Sequence, residues 1–202
     1  FSLLGVLLSG VTTVGVISWA RSNNLLDFPN ERKWHHQPIP LGGGVGVWLA
    51  FTVILLIVII FYPHYILGKD LSVFKLVAIS LASFIIIVGG LVDDKYNLSP
   101  AKQFISPVIA ALIIVLAGIG VQYVSNPLGG GLLFLDTLKF STFSLGGQVI
   151  NLSLWGGLFT FLWLLGMMYT TKLLDGLDGL ASGIGVIGSL IIFGLTQINQ
   201  WY

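Results

Sequence analysis

Residues 170–183, TTKLLDGLDGLASG, place two aspartates between two strongly apolar segments. A carboxylate sunk into hydrocarbon is costly, so an Asp at the end of a membrane helix indicates a functional group. Asp175 and Asp178 are three residues apart and share one face if a helix continues through them. Gly176 and Gly179 let a ligand approach the backbone closely. The stretch therefore predicts a functional site at the edge of a membrane.

A second acidic stretch, VGGLVDDKYNLSPAKQF at residues 88–104, places Asp93 and Asp94 at the foot of another apolar run. An isolated Asp-Asp pair also commonly marks the point where a helix reaches water, and that alternative stays open. Carboxylate oxygens are the ligands that Mg²⁺ prefers when it also holds substrate phosphates. We expect the two acidic stretches to meet on one membrane face, around a divalent cation and a diphosphate.

The same stretch contains a helix start. Ser99 followed by Pro100 is typical of an N-cap and a first helical residue, which puts Lys102 in the first turn. Pro107 is expected to kink the helix that follows.

Composition defines the class of protein. The chain has 202 residues, of which 55% are hydrophobic and 8% charged, so it is not an ordinary soluble domain with a quarter of its residues charged. The absence of Cys excludes disulfides and thiolate metal sites.

The chain begins with Phe1, and its positive charge follows the first apolar run at Arg21, as in a first membrane helix rather than a cleaved signal peptide. We expect a fragment with a ragged start.

The apolar segments predict an all-α polytopic membrane protein. A span needs about 20 mostly apolar residues, and segments this long are wrong for barrel strands. The expected spans lie at about 1–20, 44–62, 73–92, 103–124, 154–172 and 180–197. Residues 126–153 are rich in Gly, Phe and Thr and predict a small hairpin on the outer face, between spans four and five. The whole chain is expected to be one transmembrane domain.

Basic residues predict the orientation. Six of the nine lie in the loops after spans one, three and five, so those loops should be cytoplasmic, with the N-terminus outside. Most of the acidic residues fall in the same loops, which makes that face the expected site of chemistry. The first of these loops, RSNNLLDFPNERKWHHQPIPLGGGVG at 21–46, is read either as a positive-inside anchor or as part of a site. Its glycines suit an anion-binding turn or close helix packing equally well.

Three stretches together resemble the polyprenyl-phosphate N-acetylhexosamine-1-phosphate transferases, also called glycosyltransferase family 4. NERKWHHQPIPLGG resembles the basic loop of that family, GGLVDDKYNLSPAKQF its DD motif and LLDGLDGLASG its DGxDG motif. The resemblance covers essentially the whole chain. It implies transfer of a sugar-1-phosphate, with GlcNAc favoured, from a UDP-N-acetylhexosamine to a polyprenyl phosphate such as undecaprenyl phosphate, at the cell membrane.

The resemblance also implies residue roles. Asp93, Asp94 and Lys102 would be catalytic, with one of the two aspartates as general base or nucleophile and Lys102 on phosphate. Mg²⁺, with Mn²⁺ as the alternative, would be held by Asp94 and Asp175. The implied substrate-binding residues are Lys33, His35, Lys172, Gly176, Asp178 and Gly179. Membrane lipid is an expected partner, nucleic acid is not, and a homodimer stays open.

Two departures from the family pattern stand out. Lys172 occupies a position where most members have Asn, and an ammonium cannot bind Mg²⁺. The family also continues with further helices that carry a metal-binding Asp and a His-containing loop. We therefore expect these 202 residues alone to be inactive.

Two other classes compete with this interpretation. An ion-coupled transporter would place its ionisable groups near mid-membrane on broken helices, whereas these acids lie at span ends. A CDP-alcohol phosphatidyltransferase needs Ala and Arg where Gly179 and Leu180 stand.

Overall fold

A computed structural model describes residues 2–28, 37–61, 72–126, 129–145, 148–174 and 179–198. The chain forms two compact units, residues 1–119 and residues 120–202, and each is described by itself.

The described residues of the first unit form helices and one pair of short strands. Its helices are α1 (Ser2–Ser22), α2 (Gly43–Phe61), α3 (Val73–Tyr96), the short α4 (Pro100–Gln103) and α5 (Ile105–Leu116). Strands β1 (Leu26–Asp27) and β2 (Ile39–Pro40) pair antiparallel at the base of the first loop. Helix α1 packs on α2, α2 on α3, and α3 on α5.

Small residues and side-chain hydrogen bonds join the first three helices. A Cβ built at Gly46 would lie 3.0 Å from Thr13 Cα, so α1 and α2 nearly touch at their backbones. The Thr12 hydroxyl donates to the Gly46 carbonyl oxygen at 2.8 Å. Between α2 and α3, Trp48 Nε1 donates to Ser83 Oγ at 3.0 Å. Close approach and interhelical hydrogen bonds are the means by which helices associate in lipid.

Helices α3 and α5 also cross closely, at Gly89 and Ser106. A Cβ built at Gly89 would overlap Cβ and Oγ of Ser106. The buried alanines Ala110 and Ala111 continue the close-packed side of α5. The crossing lies one turn from the acidic end of α3, so it determines how near the next helix comes to that end.

In the second unit, the described segments form two antiparallel strand pairs and two helices. The strands are β3 (Tyr123–Ser125), β4 (Leu132–Phe134), β5 (Lys139–Leu145) and β6 (Gln148–Ser153), and they pair as β3–β4 and β5–β6. Helices α6 (Leu154–Leu174) and α7 (Leu180–Ile198) follow. Thr160 ties the chain before β3 to α6, because its Oγ1 accepts from Val121 N at 2.9 Å and donates to the Gly156 carbonyl oxygen at 2.7 Å.

The polytopic helical fold is confirmed, with corrections. Five described helices are long and apolar enough to cross a membrane, namely α1, α2, α3, α6 and α7. The fourth predicted span, 103–124, is wrong in extent, because the helical segment covers only Pro100–Leu116 and strand β3 begins soon after. Apolar residues alone could not distinguish the end of that helix from a following strand. The predicted hairpin is present as β5–β6, and β3–β4 is a second one that was not predicted.

The helical segment is interrupted three residues before Pro107, the residue at which the sequence predicts a kink. Helix α4 ends at Gln103 and α5 begins at Ile105, with Phe104 between them. Pro107 has no N–H to offer the carbonyl of Gln103 four residues earlier, so the regular helical ladder is broken there.

Candidate active site

The two aspartates of the DD motif lie inside the last turn of α3, not in the loop after it as the predicted span of 73–92 implied. Asn97 ends the helix in the left-handed conformation, with φ 47°, and its N–H donates to the Asp93 carbonyl oxygen at 2.8 Å. Asn is one of the few non-glycine residues that adopts this conformation readily. The chain therefore turns sharply, and α4 starts only three residues later.

Ser99 and Pro100 start α4 as the sequence predicted. Ser99 is the N-cap residue and Pro100 the first helical residue, although the Ser99 side chain makes no capping hydrogen bond. Lys102 lies exposed in this short helix, and its backbone N–H donates to the Ser99 carbonyl oxygen at 2.9 Å. The Lys102 side chain is therefore on the solvent-accessible side of the corner that holds the aspartates.

Asp93 and Asp94 have different surroundings. Asp93 is half-buried, and its Oδ1 accepts from Leu98 N at 3.1 Å and from Gln103 Nε2 at 2.9 Å. Asp94 is exposed. The Asp93 carboxylate thus ties the end of α3 to the connection and to α4, while the Asp94 carboxylate is accessible to a ligand.

Gln103 is the residue of this corner that sequence reasoning missed. Its Nε2 donates to Asp93 Oδ1 and also to the Leu98 carbonyl oxygen, at 3.0 Å. The available signal was the Asn-Leu-Ser-Pro segment, whose helix-ending Asn97 and helix-starting Pro100 predict a tight reversal that brings residues 93 and 103 together.

The base of the first loop lies beside the same end of α3. Gly42 has φ +84°, and a Cβ built on it would lie 3.2 Å from Leu91 Cδ2. A Cβ on Gly44 would lie 3.5 Å from Ile87 Cδ1. The glycine run therefore lets the start of α2 pack closely against the last turns of α3. Of the two alternatives for these glycines, helix packing has direct support.

Two predicted substrate-binding residues of the first loop, Lys33 and His35, lie outside the described residues. The strand pair at the base of that loop holds its two ends together, since Leu41 N donates to the Leu25 carbonyl oxygen at 3.0 Å. The two ends of the segment that carries the basic residues are thus held close to each other.

The DGxDG motif lies between α6 and α7, and Asp175, Gly176 and Asp178 are outside the described residues. Gly179 has φ +80°, and its carbonyl oxygen accepts from Gly183 N at 2.8 Å. Because φ at Gly179 is left-handed, one regular helix does not run through this residue into α7. Lys172 is exposed in the last turn of α6.

The donor chemistry of the DD corner fits a magnesium ion that also binds substrate phosphates. Such an ion takes one or two protein carboxylates and completes its shell with phosphate oxygens and water. Asp94 is exposed and offers such a carboxylate. Within the described parts of the chain, no group of three or more His, Asp or Glu side chains forms a complete protein cage.

Comparison with known proteins identifies the family. A model of glycosyl transferase family 4 matches residues 76–202. A probable undecaprenyl-phosphate N-acetylglucosaminyl 1-phosphate transferase of Bacillus subtilis is 32% identical over 81% of this chain and 38% of its own length. A decaprenyl-phosphate N-acetylglucosaminephosphotransferase of Mycolicibacterium smegmatis is 29% identical over 82% of the chain and 36% of its own length.

The chain spans well under half the length of these relatives. No solved structure gives a significant match. The family model covers more than half of the chain, including both the DD corner and the DGxDG motif. The chain therefore belongs to glycosyl transferase family 4.

Proposed function

We propose that the protein transfers N-acetylglucosamine-1-phosphate from a UDP-sugar to a polyprenyl phosphate in the cell membrane. The products are a lipid-linked diphosphate sugar and UMP. Family membership and the names of the relatives support the reaction class. The observation that carries the proposal is the DD corner, where an anchored Asp93 and an exposed Asp94 share one helix end.

The reaction needs one bond made and one broken. An oxygen of the lipid phosphate bonds to the sugar-bearing phosphorus of the UDP-sugar, and the bond from that phosphorus to the bridging oxygen breaks. UMP leaves with that oxygen. Such transfers depend on positioning and on neutralising charge at the phosphoryl oxygens rather than on covalent chemistry by the protein.

The proposal assigns proton transfer, charge neutralisation and substrate binding to different residues. One aspartate of the DD pair takes the remaining proton of the lipid phosphate, and Lys102 pairs with phosphate. Asp94 and Asp175 would hold Mg²⁺, which would neutralise charge at the diphosphate when bound. Asp178 binds the uridine.

The other predicted ligand residues bind the donor and the lipid phosphate. Lys172 contacts the diphosphate, and Gly176 and Gly179 let the nucleotide approach the backbone. Lys33 and His35 bind phosphate from the first loop. The site faces the cytoplasm, where UDP-sugars are made.

The test is UMP release from UDP-GlcNAc by membranes that contain the full-length protein, with and without undecaprenyl phosphate. We expect release that requires both substrates. Asp93→Asn and Asp94→Asn should each lower turnover by about 100-fold or more, because they remove a charge at the reacting phosphates.

Asp136→Asn is the matched control, since Asp136 lies between β4 and β5 in the second unit. It should leave turnover unchanged. Lipid-dependent UMP release that survives both DD substitutions would overturn the assignment of this corner as the active site.

A further inference from the structure

Gln103 connects three parts of the DD corner through one amide nitrogen. It donates to Asp93 Oδ1 in the last turn of α3 and to the carbonyl oxygen of Leu98 in the connection, while Gln103 itself belongs to α4. A Gln amide nitrogen has two N–H groups, so both bonds can be made at once. We propose that Gln103 is a positioning residue that fixes the Asp93 carboxylate for the transfer reaction; this inference rests on the function proposed above.

The helix crossing puts Gln103 within reach of Asp93. Gly89 lies four residues before Asp93 and therefore on the same side of α3. Ser106, which lies against Gly89, comes three residues after Gln103. The close approach at Gly89 and Ser106 thus brings the side of α3 that carries Asp93 next to the chain that carries Gln103. A larger residue at either position would separate the amide from the carboxylate.

Two donors on the same oxygen restrict the Asp93 side chain. Leu98 N and Gln103 Nε2 both bind Oδ1, so the carboxylate cannot rotate without losing at least one hydrogen bond. Asp93 is also half-buried, whereas Asp94 is exposed. Geometric precision matters here, because a misplacement of about 1 Å can lower a catalysed rate by about 100-fold. The effect of Gln103 on catalysis passes through its hydrogen bond to Asp93.

The experiment compares variants of similar side-chain length that either lack or retain N–H donors, of which Gln103→Lys also adds a positive charge. Gln103→Met keeps the length and apolar stem but has no N–H, and we expect kcat to fall about tenfold or more with KM for UDP-GlcNAc nearly unchanged. Gln103→Lys retains N–H donors at similar reach and should keep kcat within about threefold of the unmodified protein. Gln197→Met, at an exposed position in the last turn of α7, is the control for the substitution type and should change neither constant.

The outcomes separate this inference from the proposed function. Absence of lipid-dependent UMP release by the unmodified full-length protein would overturn the function itself. Normal UMP release with an unchanged kcat in Gln103→Met would overturn the positioning role alone. Equal losses of kcat in Gln103→Met and Gln103→Lys would also overturn it, because shape and not hydrogen bonding would then be what matters.

A second comparison applies if Gln103→Met does not accumulate as folded protein. Gln103→Glu has the same length as Gln but, when ionised, has no donor and repels Asp93. We expect its kcat to lie about tenfold or more below that of Gln103→Lys. Equal kcat values in these two variants would contradict the proposal.

Discussion

The backbone of Gly89 lies directly against the side chain of Ser106, and no Cβ fits between α3 and α5 at this point. Both residues are close to the DD corner in sequence, so the packing of two helices and the geometry of the aspartates depend on the same contact. A substitution at Gly89 therefore tests the fold and the site together.

Gly89→Ala should lower the free energy of unfolding by about 1–3 kcal/mol, because the added methyl group overfills the crossing. The measurement is the midpoint of thermal unfolding in detergent, with UMP release measured in parallel. Gly90→Ala is the matched control, since a Cβ there would have no neighbour within 4 Å. Its midpoint should stay the same or rise, because Ala favours a helix over Gly by about 1 kcal/mol. Equal midpoints for the two variants would refute the close crossing.

Gly179→Ala should destabilise the start of α7, because φ at Gly179 is +80° and an L-residue pays about 1–2 kcal/mol to adopt that conformation. Gly183→Ala is its control, four residues on in a helical conformation. Neither position has an atom within 4 Å of a built Cβ, so backbone conformation is the main difference between them. Thermal unfolding should rank Gly179→Ala below Gly183→Ala, and the reverse order would contradict the left-handed assignment.

Lys172 should contact the diphosphate of the donor and neutralise part of its charge. Lys172→Ala and Lys172→Asn should therefore each raise KM for UDP-GlcNAc, by about tenfold, because an ammonium–phosphate interaction is lost. Steady-state UMP release, measured at several concentrations of UDP-GlcNAc and of Mg²⁺, gives both KM and the Mg²⁺ dependence. If both variants keep full activity and an unchanged Mg²⁺ dependence, Lys172 serves only as a positive charge at the membrane surface.

The orientation of the chain can be tested by single cysteines, since these 202 residues contain none. Cysteines at Asn30, Asn97 and Ser182 should react with a membrane-impermeant maleimide only when it is given access to the cytoplasmic side. A cysteine at Ser141 should react from outside. These outcomes follow from the positive-inside distribution of Lys and Arg. Labelling of Asn97 from outside would invert the proposed topology.

The sequence predicted the helices best where an apolar run ended in charge or glycine. Spans expected at 154–172 and 180–197 correspond closely to α6 (Leu154–Leu174) and α7 (Leu180–Ile198). The break between them was visible because hydrocarbon excludes the aspartates of the DGxDG motif. The end of α5 at Leu116 was missed, although Gly118 marks it with a left-handed φ of +71°, because Ala117 to Val121 contains no charged residue and the apolar run continues beyond the glycine.

The DD corner was predictable in its position but not in its internal bonding. Asp93 and Asp94 are identical in type and adjacent, so spacing gave no reason to assign them different surroundings. The difference in exposure accompanies a reversal at Asn97 and a helix crossing at Gly89, which together bring Gln103 to the Asp93 carboxylate. Contacts of this kind depend on tertiary geometry and leave little periodic signal in the sequence.

The contact between α1 and α2 has a consequence for which substitutions the first unit tolerates. At Gly46 and Thr13 the helices meet backbone to backbone, and Thr12 donates to the Gly46 carbonyl oxygen. Lipid tails are as apolar as a leucine side chain, so extra hydrophobicity at this contact gains nothing. Volume therefore decides which residues fit at this contact, and Ser at position 46 should be less harmful than Leu.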